Sequence, residues 1–285
     1  MLLCLSICGC KSLPKGSPVN PVDLLDNNSA FYISIPAATE PELINKIITS
    51  NISEISTADA NNIIQRINTL YCGLNKTRTN TDYQIAIDAD IPVKYLPKIL
   101  NQKNGWQTQT FKPTDSNSEY KIFYNQDVEM AFPSSNVGLL GRDIDLMLAK
   151  YEAIHSIPTD SEFLIEPTYT ELDLDLYNWI TSNENDIRFY ANKPQSFLTI
   201  LTGASLDLKL FYVKGKFSTD LNNEDQFILD LDFFFKNEKY RKAGKTLLSL
   251  AFGLTDSQSI IIGTNELQIY GIKLRKEQLY QLMVL

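Results

Sequence analysis

The chain has 285 residues, of which 44% are hydrophobic and 11% aromatic, enough to bury a sizeable core without a metal or disulfide staple. Its net charge of −8 and pI of about 4.8 repel phosphate backbones and anionic lipid surfaces, so nucleic acid is excluded as an expected partner. No stretch approaches the run of about 18 apolar residues that crosses a bilayer as a helix.

The first ten residues, Met1-Leu2-Leu3-Cys4-Leu5-Ser6-Ile7-Cys8-Gly9-Cys10, are apolar and end in small side chains. A polar stretch rich in Lys, Ser, Gly, Pro and Asn follows from Lys11 to Pro21. That is the order of a signal core, a cleavage site and a flexible tether. Ile7-Cys8-Gly9-Cys10 resembles the lipobox of bacterial lipoproteins, in the relaxed form found in spirochaetes. The resemblance implies a signal peptide over 1–9, a diacylated (palmitate-bearing) Cys10, a tether over 10–28, and attachment to a membrane of the cell envelope, periplasmic or surface-exposed. Two other readings stay open: a frayed apolar end, and metal ligation by Cys4, Cys8 and Cys10, whose spacing matches no common zinc or cluster pattern. Cys72, within Leu70-Tyr71-Cys72, reads as a small buried hydrophobe, and no internal disulfide is expected.

Past the tether, 22–26 reads as a helical turn leading into a strand over 30–35. Thr39 is the expected N-cap of a helix carrying Leu43, Ile44, Ile47 and Ile48 on one face, and a second helix opens at Ser56 or Thr57. Strands are predicted over 68–74 and 83–88, a helix over 93–100, and strands over 106–111, 120–124 and 128–132. A helix over 142–151 closes the unit. Residues 156–171, with two prolines and many hydroxyl and acidic side chains, form the expected connector. Beyond it come a helix over 172–180, a strand at Phe189, a helix near Phe197, long strands over 206–217 and 226–235, and a helix over 237–252. A hairpin over 259–272 and a closing helix over 276–284 finish the chain.

Phe31-Tyr32-Ile33-Ser34-Ile35-Pro36 and Phe189-Tyr190-Ala191-Asn192-Lys193-Pro194 both open on an aromatic pair, reach a proline four residues after the tyrosine, and run into an apolar helix. Tyr71 answers Tyr212, and Asp88-Ala89-Asp90 answers Asp230-Leu231-Asp232. The expected fold is therefore α+β in two tandem similar repeats, 29–155 and 172–285. Each is a mostly antiparallel sheet with helices on one face, and the two are related by a pseudo-twofold whose seam is the natural place for a cleft.

The chemistry-bearing residues are sparse. His155 is the sole histidine, placed at a helix end, and no Gly-x-Ser-x-Gly elbow, Walker A motif or Gly-x-Gly-x-x-Gly is present. No catalytic set, metal site or cofactor is expected. The two Asp-x-Asp triplets put Asp88 with Asp90, and Asp230 with Asp232, on one strand face, where such pairs can hold Mg²⁺ or Ca²⁺ or serve glycosidic acid–base chemistry; they also fit the alternation of a half-solvated strand, the reading preferred here. Tyr32, Tyr190, Tyr71 and Tyr212 are candidate ligand-facing aromatics against a reading as sheet packing. The expected function is a lipid-anchored, non-enzymatic binding or scaffolding module of the envelope, partnered by the membrane and by another envelope protein or an apolar ligand. The alternatives are a carboxylate hydrolase acting on envelope glycans and a carrier of an apolar ligand in the seam.

Overall fold

The computed structural model describes residues 17–283 apart from 52–54, 77–80, 115, 126–127, 158–170, 183–184, 203–205 and 255–257. Cys4, Cys8, Cys10 and most of the expected connector lie outside the described residues. In chain order the strands are β1 (Phe31–Pro36), β2 (Ile67–Lys76), β3 (Thr81–Ala89), β4 (Gln107–Phe111), β5 (Tyr120–Tyr124), β6 (Glu129–Ala131), β7 (Val137–Gly141), β8 (Ile187–Ala191), β9 (Leu210–Thr219), β10 (Gln226–Phe235), β11 (Ser259–Ile262) and β12 (Glu266–Arg275). The α-helices are α1 (Pro41–Asn51), α2 (Thr57–Ile64), α3 (Leu96–Ile99), α4 (Asp145–His155), α5 (Leu174–Ile180), α6 (Pro194–Thr202), α7 (Glu238–Phe252) and α8 (Lys276–Met283).

All twelve strands join one sheet, in the order β11-β12-β10-β9-β8-β1-β2-β3-β7-β6-β5-β4, and every neighbouring pair is antiparallel. β1 and β8 meet at its centre, with Tyr32 opposite Tyr190 and Ile33 opposite Phe189. Each would otherwise be an exposed edge with unpaired amides and carbonyls, and pairing them satisfies both.

One face of the sheet carries the larger core, built from Ile33, Ile35, Cys72, Phe189, Phe217 and Phe233 under α1, α6, α7 and α8. Alternation then sends Tyr32, Tyr190, Ala86 and Leu139 to the opposite face. There α4 and α5 add a second layer through Met147, Leu148, Ile154, Leu176 and Ile180, beyond the single covered face expected. β7, which the sequence reading passed over, is buried at all five positions, as a strand under helices on both faces must be.

The helix starts follow from their caps. Ser56 accepts from the Asp59 amide at 3.1 Å to open α2, and Asn237 accepts from the Tyr240 amide at 3.0 Å to open α7. α1 starts at Pro41, so Thr39 does not cap it; the Thr39 hydroxyl instead donates to the Asn185 carbonyl at 2.6 Å. Of the span expected as a tether, 10–28, the described part from Ser17 on packs against the fold. Ser17 is buried and donates to the Ile157 carbonyl at 2.9 Å, and the 3-10 turn Pro21–Leu24 is buried throughout.

Candidate functional site

Between the sheet and the α1–α3 layer lies an apolar cavity of about 50 Å³. Ile47 and Ile48 from α1, Ile63 from α2 and Ile99 from α3 roof it, while Leu70 and Ile85 from β2 and β3 form part of its floor. All fifteen of its lining residues are Ile, Leu, Met or Phe. Ile63, Ile91, Leu96 and Ile99 also line a second, more open depression of about 370 Å³, whose rim carries Asp59, Asn62, Arg66, Tyr95 and Lys98. These four apolar side chains stand between the chamber and the polar-rimmed depression.

The cleft expected at the seam is filled. Phe31, Phe189 and Phe197 stack there with centroids 4.6 to 5.5 Å apart, and Tyr32 and Tyr190 are buried on the other face. Direct strand pairing closed the gap, so the apolar space lies inside the first half instead.

The candidate tyrosines gather on one face of the sheet. Tyr32 donates to the Asp26 carbonyl at 2.6 Å and accepts from the Ser29 amide at 3.1 Å. Burial pushes its hydroxyl up to about 12. Tyr190 stacks on Tyr212 at 4.7 Å, and Tyr212 on Phe234 at 4.2 Å. Tyr71 is half-buried beside the same cluster. With Tyr32 and Tyr190 inside the core, those two rings offer a ligand no surface.

The two Asp-x-Asp triplets do not converge. Asp88 accepts from the Asn68 amide group at 3.4 Å near the end of β3, and the Asp90 amide donates to the Arg66 carbonyl at 2.7 Å. On β10, Asp230 accepts from the Gly271 amide at 3.0 Å, tying down a bulge where β12 turns through a positive φ of 71°. Burial pushes the Asp232 carboxyl up to about 6, against the pull of nearby Lys214.

The sequence holds two more such triplets, Asp143-Ile144-Asp145 and Asp173-Leu174-Asp175, and the first of them meets another carboxylate. Asp143 and Asp145, at the start of α4, meet Glu129 of β6 with carboxylate oxygens within 4.8 Å of one another. Desolvation, then Asp145 and Asp143, raises the Glu129 carboxyl, while the Ile144 amide opposes it. These three groups could ligate a hard cation, although Glu129 already accepts from Gln109 and Ile144. The Asp-x-Asp spacing was the available signal; the partner on β6 was not local. His155 ends α4, stacked on Tyr151 and 3.1 Å from the Ser17 carbonyl. Cys72 is fully buried, its thiol pushed up to about 12.

This architecture, one large antiparallel sheet with helices on both faces, defines a mixed α/β class of protein. The chain belongs to the family described as outer membrane-associated lipoprotein TP0453, whose model matches residues 16–280. It is thus a lipoprotein of the cell envelope, and among the described residues no helix is long and apolar enough to cross a membrane. Crystal form I of TP0453 is similar at a TM-score of 0.70 and 15% identity, covering 94% of this chain and 98% of that one. Forms III and IV, with the same coverage, are similar at 0.65 and 0.62, with 16% and 15% identity. At such identity these likenesses establish the fold. No curated protein matches the chain significantly by sequence.

Proposed function

We propose that the protein is a non-enzymatic, lipid-anchored envelope protein that binds an apolar ligand in the chamber beneath α1–α3, with Cys10 carrying the anchor. The observation that carries this reading is the wholly apolar lining of a space left incompletely filled, where protein interiors ordinarily pack closely. At about 50 Å³ it is a third of the roughly 150 Å³ that takes up benzene, so a hydrocarbon chain enters as the helices give way. α2 has eight residues and α3 four, far below the roughly 12 at which an isolated helix holds itself. Apolar contacts keep them on the sheet, and a ligand can replace those contacts.

The full chain is expected to bind a fluorescent fatty acid such as cis-parinaric acid, and Ile48→Phe, which fills the chamber, to weaken binding at least about tenfold. A wild-type protein that leaves the probe dark rejects the reading. For the anchor, metabolic labelling with a palmitate analogue should mark the wild type and not Cys10→Ser; an unlabelled wild type rejects it.

The glycan-hydrolase alternative has less support. Burial raises the Asp232 carboxyl, but its neighbour Asp230 is engaged at the bulge and the two triplets lie on strands far apart in the sheet. Under the same reading the halves 29–155 and 172–285 descend from one duplicated unit. The support is the β1–β8 joint and the matching strand order outward from it, β1-β2-β3-β7-β6 against β8-β9-β10-β12-β11.

A further inference from the structure

The depression beside the chamber gathers cations, unusually for so acidic a chain. Arg66 and Lys98 stand on its rim, and Lys94 is one turn from Lys98. The two lysine ammonium groups each lie 5.1 Å from the centre of the Tyr95 ring. The rim also carries one carboxylate, Asp59, which accepts the Ser56 hydroxyl at 2.6 Å at the start of α2 and offsets one of the two rim cations. Arg66 Nη1 donates to the Asp90 carbonyl at 3.3 Å. Among the described residues, Arg66, Lys94 and Lys98 make no ion pair with a carboxylate. Cations gathered round one depression repel one another, and an anion placed between them relieves that repulsion. The apolar floor shared with the chamber lowers the local dielectric and strengthens such an attraction.

We propose that the ligand is an amphiphile with an anionic head, carboxylate or phosphate, and that Arg66 and Lys98 hold this head while its tail enters the chamber. This rests on the chamber taking an apolar tail. A guanidinium and an ammonium fit either head by charge-assisted hydrogen bonds, whereas an uncharged head forgoes them.

The test compares cis-parinaric acid with its uncharged methyl ester on the full chain at mildly alkaline pH. The acid should bind about threefold more tightly, as two exposed, solvent-screened charge contacts allow. Added salt should shrink that ratio. Lys98→Gln should bring it toward one, and Lys98→Glu should invert it, with ester affinity held in both. The remote Lys239→Gln should keep the wild-type ratio. Equal affinities for acid and ester overturn the head assignment and leave the chamber standing, whereas failure of both probes overturns the two together. Inorganic phosphate titrated alone separates the sources of the anion: if it binds as tightly as the acid, the rim serves a free anion and the proposal fails.

Discussion

Asp232 lies between Leu231 and Phe233, both buried, with its own side chain on the less covered face of β10. Its carboxyl is raised to about 6 chiefly by loss of water, with Glu266 and Asp230 adding and Lys214 opposing. In the unfolded chain it would titrate near the usual 3.9 or so, so the folded state holds the proton more tightly. The stability this contributes is present below about pH 4 and lost as pH rises through about 6. Asp232→Asn should therefore stabilise the protein at pH 7 by about 1 kcal/mol, less than full burial would give because the carboxyl stays partly wetted. The gain should vanish in thermal melts run below about pH 4. An unchanged melting temperature at neutral pH would mean that the carboxylate is freely solvated. The alternation that places Asp230 and Asp232 on one face was legible in the sequence. The use of Asp230 was not, because its acceptor role depends on the Gly271 amide, 41 residues away.

Among the elements, α7 illustrates how a helix is specified at its ends and constrained along its side. Asn237 caps it, and Gly253 closes it in the left-handed region at a φ of 62°. Both boundaries were readable. Gly244 is a different matter, since a glycine mid-helix costs about 1 kcal/mol relative to alanine, and replacement would ordinarily stabilise. Here a β-carbon at 244 would stand inside the van der Waals envelope of the Phe235 ring. Overpacking of this kind costs about 1–3 kcal/mol and outweighs the propensity gain, so Gly244→Ala should lower stability in a denaturant titration. A stabilised variant would show that α7 slides freely on β10. β7 is the opposite case. Val137-Gly138-Leu139-Leu140-Gly141 has neither alternation nor β-branching beyond its first residue, and only its place between β3 and β6 makes it a strand.

For the whole molecule, the two halves are tied by more than the β1–β8 joint. Glu40, buried just before α1, receives the Tyr280 hydroxyl at 2.7 Å and pairs with Lys276 at 2.9 Å, both from α8 at the far end of the chain. Lys46 lies over the Tyr280 ring at 4.1 Å. Breaking one part thus strands buried polar groups in the other, which costs several times the net worth of an exposed ion pair. Calorimetry should show one cooperative unfolding transition for the full chain; two resolved transitions would mean that the halves fold independently.

Sequence alone determined the order and type of nearly every element, the acidic surface, the burial of Cys72 and the signal-like start, because caps, periodicity and composition act over a few residues. The tertiary structure alone decided that two expected sheets are one, that the seam is closed, and that the apolar chamber beside a polar depression lies within the first half. Those outcomes depend on strand pairings and side-chain meetings between residues far apart in the chain, for which no short stretch of sequence carries a signal.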